Sequence, residues 1–238
     1  MRKKLDEFAY LASHDLLEPL RKISTLSEFL RIRYKNALDD EGSHYLDMIG
    51  ASVENMRAII DSLLTFTSIN VNPPQFEYVD LNRVFQSVMQ DQDLKITETA
   101  AQVSCSSLPN VEGVQTELRL LFNNILSNAL KFKNPEGPTV TIDFTELSEN
   151  SKREHSLPIK KSFYQINVRD NGIGFEQEYA DLIFGVFQRL NSKSEYQGFG
   201  IGLAVCKKIA ERHNGLIFAS SKLGGGSTFS LIIPKNQQ

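Results

Sequence analysis

Residues 5–30, LDEFAYLASHDLLEPLRKISTLSEFL, decide the fold of the N-terminal part of the chain. The positions Leu5, Ala9, Ala12, Leu16, Pro19, Ile23, Leu26 and Leu30 are spaced alternately by four and three residues. That seven-residue repeat is the pattern of helices that pack along a common seam. The same alternation recurs at Leu46, Ile49, Val53, Met56, Ile60, Leu63 and Thr67. Between the two runs lies the polar turn Asn36–Gly42, and Ser43 reads as the N-cap of the second helix. The pattern predicts an antiparallel helical hairpin. A lone hairpin leaves one side of its seam bare, so two copies are expected to close a four-helix bundle.

Pro73-Pro74 ends this texture and divides the chain into residues 1–72 and 73–238. The second part reads as mixed α and β. A short strand is expected over Phe76–Val79, with Asp80 capping a helix over Leu81–Gln90. An amphipathic helix spans Gln115–Lys133. Antiparallel strands cover Thr139–Glu146 and Ser162–Asp170, and Leu147–Lys161 reads as their exposed connecting loop. A helix over Leu203–His213 and a final hairpin, Gly215–Ser221 with Ser227–Ile233, complete the pattern.

Composition narrows the function classes. The 238 residues carry 41% hydrophobic and 23% charged residues and a net charge of −3. No basic excess points to nucleic acid, and no apolar run approaches the ~20 residues of a membrane span. The N-terminus has charges but no apolar h-region, so it is not read as a signal peptide. Cys105 and Cys206 read as two buried thiols of a reducing, cytoplasmic compartment; a membrane anchor would belong to segments outside this chain.

Four clusters carry chemistry. His14, followed by Asp15, falls at the outward f position of the first heptad frame, with Leu11 and Leu17 as an apolar rim. Pro19 should bend the helix one turn further on. In LRLLFNNILSNALKF, residues 118–132, Asn124 and Asn128 share a helix face near Lys131. Amide oxygens at that spacing suit a hard cation such as Mg²⁺, although an ordinary polar face accounts for them equally well alone. Asp170-Asn171-Gly172-Ile173-Gly174 follows a strand. It reads either as a hairpin turn or as a carboxylate acceptor at a strand end beside glycines that admit a ligand. Gly198-Phe199-Gly200-Ile201-Gly202-Leu203 opens a helix, where exposed N–H groups can take phosphate. It is neither a P-loop nor a Rossmann fingerprint.

In this order and spacing the clusters resemble the boxes of two-component sensor histidine kinases. Ser13–Pro19 resembles the H box, Asn124–Phe132 the N box, and Asp170–Gly174 the first glycine box. Ile183–Leu190 resembles the F box, Gly198–Leu203 the second glycine box, and Gly226-Ser227-Thr228-Phe229 the closing segment. The resemblance covers essentially the whole chain. It implies a dimerisation and histidine-phosphotransfer hairpin followed by an ATP-binding α/β two-layer sandwich of Bergerat type.

It also implies roles. His14 would be the phosphoacceptor and Asp15 its general base. Asn128 would be the main Mg²⁺ ligand, supported by Asn124. Lys131 and Arg189 would meet the phosphates. Asp170 would take the adenine amino group beside Gly172 and Gly174, with Thr228 sharing a water. Gly198, Gly200, Gly202 and Leu203 would flank a short polar lid, Asn191–Gln197, holding Lys193 but no arginine. Phe184 and Phe187 read as lobe core and lid anchor. The expected activity is ATP-dependent autophosphorylation at His14 and transfer to an aspartate in the receiver domain of a response regulator. A degenerate ATP-binding dimeric adaptor is the alternative, and a gyrase-like or chaperone-like ATPase a third. Intact His14, Asn128, Asp170 and lid glycines argue against decay. One departure is Glu18, where many family members carry Thr or Asn; a carboxylate there should repel a phosphoaspartate and weaken phosphatase activity. The chain reads as the catalytic core of something longer.

Overall fold

The computed structural model describes residues 2–35, 37–69, 73–134, 137–191, 196 and 198–237, without the side chains of residues 2–15. The chain forms two compact units, Met1–Asn72 and Pro73–Gln238.

The first unit is a helical hairpin, α1 (Arg2–Arg33) and α2 (Asp40–Ser68). Helix α1 runs through Pro19 as one element. The N-cap of α2 is Asp39 rather than Ser43. Its carboxylate accepts the Gly42 N–H at 2.7 Å, while Asp40 and Glu41 place negative charge in the first turn, where the helix dipole favours it.

The seam inside the hairpin also differs from the heptad reading. Leu20, Val53 and Ile60 form its buried cluster, with Leu17 and Leu64 packed against them. Leu17 is thus part of the hairpin core and not of an exposed rim. Leu16, at 54% exposure, and Leu26, at 62%, face outward, as do Ile23 and Leu30. Among the described side chains, the part of the α1 heptad stripe from Leu16 to Leu30 therefore does not face α2. It lies beside the stripe that does and keeps its apolar surface uncovered within one chain.

The second unit is a two-layer sandwich. Strands β1 (Glu77–Asp80) and β3 (Asn110–Gly113) form a small antiparallel pair. Five strands form the main sheet in the order β2 (Gln102–Cys105), β4 (Thr139–Glu146), β5 (Phe163–Asp170), β7 (Ser227–Pro234), β6 (Leu216–Ser221). β2 runs parallel to β4 and the other pairs are antiparallel. Helices α3 (Leu81–Asp91), α5 (Gln115–Lys131) and α7 (Gly202–Arg212) form the second layer, with α5 between the other two. Asp80 caps α3 through the Asn82 N–H at 2.9 Å. Short α4 (Asp93–Thr99) follows α3 and touches α5.

Helix α5 is the centre of the core. Leu118, Leu121, Phe122, Ile125, Leu126, Ala129 and Leu130 are all buried, and Phe122 meets Phe85 of α3 edge-on at 6.4 Å. Each large side chain contributes about 1.5–3 kcal/mol by leaving water. Ile166, Val168, Phe229 and Leu231 are buried on one face of the sheet, as pairing of Ile166 with Leu231 and Val168 with Phe229 requires.

The segment between β4 and β5 is not an exposed loop. Ser148 caps a short helix, α6 (Glu149–Glu154), and Leu147, Phe163 and Ile232 form a buried cluster joined by Leu157, Leu216 and Phe218. The His155 ring stacks on Phe218 at 5.1 Å. Cys206 is buried and its thiol pushed up by burial, but Cys105 is exposed.

His213 joins the helix layer to β3. Its Nε2 accepts the Val114 N–H at 2.9 Å, and its Nδ1 lies 2.8 Å from the Ile209 carbonyl oxygen. The tautomer satisfying both is neutral, with the proton on Nδ1. Burial pulls its pKa below the ordinary histidine value, Arg212 adds to this, and the Ile209 hydrogen bond opposes it. A helix end favours a cation, but the fold holds a neutral ring there. The unfolded chain takes up this proton first. The histidine's contribution is complete above about pH 6.5 and is lost as pH falls towards the lower folded value. Glu117, 3.8 Å from Nδ1, is shifted up by burial against the pull of Arg212, so its protonation acts with the opposite sign. Urea denaturation should show stability falling as pH drops below about 6.5, the ordinary histidine value, and His213→Gln should flatten that fall while lowering stability at pH 7. An unchanged slope in the variant would remove His213 as the cause.

Candidate functional site

The site in the second unit is built where β5 ends. Asp170 Oδ1 accepts the Gly172 N–H at 2.8 Å and the Ser227 N–H at 3.2 Å. Burial raises the carboxyl's pKa, and the two backbone hydrogen bonds oppose that rise. A carboxylate anchored through one oxygen has the other oxygen for a ligand donor.

Two glycines make this approach possible. A Cβ on Gly172 would stand 2.2 Å from the Phe132 carbonyl oxygen, and one on Gly226, at φ +80°, would stand 2.0 Å from the Asp170 carbonyl oxygen. Side chains at either place would collide with backbone that cannot yield. Gly174 is backed against the Lys222 carbonyl and Gly200 against that of Gln188. The Asp-Asn-Gly segment is not a hairpin turn: Asn171 Oδ1 accepts the Thr139 N–H at 2.8 Å and its Nδ2 donates to the Gly137 carbonyl at 3.0 Å, which fastens β5 to the start of β4.

The partner of Asp170 on the next strand is Ser227, not Thr228. Ser227 pairs with Asp170 in register, whereas Thr228 pairs with Arg169. Alternation along β7 puts Thr228 on the face opposite Asp170. The signal was present in the sequence: Phe229, Leu231 and Ile233 alternate as core residues, and position 227 continues that set.

Helix α5 supplies the second wall. Asn124 and Asn128 are half-buried on one side of it. Asn124 Oδ1 lies 3.1 Å from the place of a Cβ on Gly202, at the start of α7 where Leu203 also sits, half-buried. Lys131 Nζ lies 3.0 Å from the Cβ position of Gly198 and 4.4 Å above the Phe132 ring. Burial lowers the Lys131 pKa, with the charges of Arg189 and Lys95 adding to it. Arg189 Nη2 donates to the Tyr196 carbonyl at 2.9 Å, and the Tyr196 and Phe132 rings are 4.8 Å apart. So the structure brings Asn124, Lys131, Gly198 and Gly202 together in one cluster and Asp170, Gly172 and Gly226 in another on the same domain. Phe184 is core, and Phe187 is 55% exposed at φ +62°. Lys193 and most of the lid reading lie outside the described residues.

His14 and Asp15 lie within α1, but their side chains are outside the described residues. Glu18, one turn on, pairs with Lys22 at 2.7 Å, both side chains being exposed.

The donor set has the chemistry for a nucleotide and Mg²⁺. Among the described residues no three His, Cys, Asp or Glu groups form a metal cluster. A cation at this site would rest on neutral amide oxygens and take its other ligands from phosphate and water, which is the habit of Mg²⁺.

Residues 113–237 match the family of histidine kinase-, DNA gyrase B- and HSP90-like ATPases, and residues 4–71 match the His Kinase A phospho-acceptor domain. The chain belongs to this ATPase family and has the two-domain catalytic core of a sensor histidine kinase. It is 35% identical over 231 residues to cyanobacterial phytochrome A of a Nostoc species, covering 97% of this chain and 28% of that protein. It is 28% identical to the adaptive-response sensory kinase SasA of Synechococcus elongatus, over 98% of this chain and 59% of that one. The chain thus spans less than a third of the phytochrome it matches. The crystal structure of full-length ShkA in complex with AMPPNP superposes with a TM-score of 0.70 at 20% identity, over 96% of this chain and 45% of that chain. Among the described residues no helix is long and apolar enough to cross a membrane.

If Asp170 is the acceptor for an adenine amino group, Asp170→Ala should lower adenine-nucleotide affinity by about 1–3 kcal/mol or more, since that group would be left unpaired. Titration calorimetry with ATP measures it. Unchanged affinity would move the adenine pocket elsewhere.

Proposed function

We propose that this chain is an ATP-dependent protein-histidine kinase that phosphorylates His14 and passes the phosphoryl group to an aspartate on the receiver domain of a response regulator. The observation that carries this reading is the Asp170 carboxylate, held through one oxygen by the Gly172 and Ser227 N–H groups at the strand end, where glycines let three backbone segments converge and fix its position. Asp170 takes the adenine amino group, and Ser227 replaces Thr228 as the hydroxyl beside it. Asn128, with Asn124, holds Mg²⁺; when bound, the ion neutralises charge on the phosphates. Lys131 and Arg189 bind the triphosphate, and Gly198, Gly200 and Gly202 let backbone N–H groups approach it. The His14 imidazole attacks the γ-phosphorus in line, forming the N–P bond as the bond to the β-phosphate oxygen breaks. ADP leaves, and Asp15 accepts the ring's other proton.

The uncovered stripe of Leu16, Ile23, Leu26 and Leu30 supports homodimerisation through the hairpin. A cytoplasmic place for this core follows from ATP as substrate. The phospho-acceptor domain favours this reading over a gyrase-like ATPase, which has no use for a phospho-acceptor histidine on a hairpin.

Incubation with γ-labelled ATP and Mg²⁺ tests the function. The expected product is an acid-labile, base-stable label on the protein. Hydrolysis without label would support the ATPase reading, and binding alone the adaptor. His14→Gln should abolish the label and leave ATP affinity unchanged; loss of binding in that variant would contradict the separation of roles between the two units.

Glu18 bears on the reverse reaction. Lys22 offsets part of its charge, so the repulsion of a docked aspartyl phosphate is smaller than a bare carboxylate would give. At ~4 Å in water it is about 1 kcal/mol, roughly a fivefold effect on rate. Glu18→Thr should speed decay of a purified phosphorylated regulator by about that factor. A parent chain that already accelerates decay strongly, with no change on substitution, would rule the repulsion out.

A further inference from the structure

We propose that Lys95, on α4, is a third phosphate-recruiting cation of the nucleotide pocket, outside every glycine-rich or asparagine-bearing motif of the chain. The inference rests on the ATP-binding reading above and adds a residue to it.

The observation is a ladder along α5. Arg119, Asn123, Ser127 and Lys131 recur every fourth residue and so form one stripe of the helix. The first three rungs are met in order by Asp91 at the end of α3, Gln92 between the two helices, and Lys95 of α4. Arg119 Nη2 is 2.6 Å from Asp91 Oδ2, Gln92 Nε2 donates to Asn123 Oδ1 at 2.7 Å, and Lys95 Nζ donates to Ser127 Oγ at 3.4 Å. The lower rungs are matched pairs: a guanidinium with a carboxylate, an amide with an amide. At the third rung the pattern changes. A full positive charge meets a neutral hydroxyl, at the long end of hydrogen-bond distance. One turn further along α5 stands Lys131, beside Gly198.

Neutral packing does not need a charge at that place. A lysine facing a serine gains little, and here it adds to the crowding of positive charge. Among the described residues, the charged groups that act on Lys131 are Arg189 and Lys95, both cations. Three cations arranged this way repel one another until an anion enters, and a polyphosphate is the anion that this pocket is built to take. Lys95 is exposed, so its ammonium can turn from Ser127 towards an arriving phosphate at small cost. Because α4 lies beyond the asparagine helix, its charge should be felt most at the phosphate end of the nucleotide and least at adenosine.

The test is calorimetric titration of the two-domain chain with ATP, ADP and adenosine. Lys95→Met removes the charge and keeps the stem; Lys95→Arg keeps the charge. Lys95→Met should weaken ATP binding about three- to tenfold, ADP binding less, and adenosine binding not at all. The ATP loss should shrink as salt is raised, and Lys95→Arg should bind ATP as the parent does. An equal loss for all three ligands would make Lys95 a packing residue between α4 and α5 and overturn the proposal. So would no loss for any of them. A parent chain that binds none of the three would overturn the ATP-binding reading itself, a result distinct from either outcome for the variant.

Discussion

The burial of α5 is the constraint on which the second unit depends. Seven of its side chains fill the space between α3, α7 and the sheet. A helix committed to the core on so much of its circumference has narrow strips left for anything else. One strip carries Asn124 and Asn128, and the other Arg119, Asn123, Ser127 and Lys131. The apolar positions hold the helix in place and thereby set where amide oxygens and ammonium groups point. A polar strip on a loop would have no such reference, since loops lack the packing that locks a side chain to one position.

The sheet supplies the complementary constraint. Asp170 ends the strand that pairs on both sides, with β4 and with β7. Its carboxylate is held by the backbone of its own turn and by the neighbouring strand, so its position follows from register and not from a flexible side chain. Gly172 and Gly226 are needed there because the backbones of three segments converge within less than the width of a methyl group.

In the hairpin the balance is different. Among the described residues few side chains are buried within one chain, and several leucines and isoleucines stay in contact with water. Such a unit has little stability of its own from apolar burial, and its economy of core fits an element completed by a second copy.

The sequence marks the two-part division of texture, the helical hairpin, the sandwich strands from Thr139 onward, the cap at Asp80, and which residues are candidates for the pocket. These features are written in local patterns: heptad spacing, alternation, glycine clusters and asparagines on one helix face. Tertiary structure decided the rest. β2 and β3 are short segments whose pairing is set by distant partners, so no local period marks them. Which α1 stripe faces α2 was decided by packing, because a helix with apolar residues on adjacent stripes satisfies the heptad pattern in more than one orientation. His213 is neutral because burial and two backbone partners outweigh the field of the helix end. Ser227 displaced Thr228 because strand register, and not the identity of the hydroxyl, chooses the residue beside Asp170. Lys95 belongs to no motif; it reaches the pocket only because α4 folds back along α5, and that juxtaposition of residues far apart in the chain exists only in three dimensions.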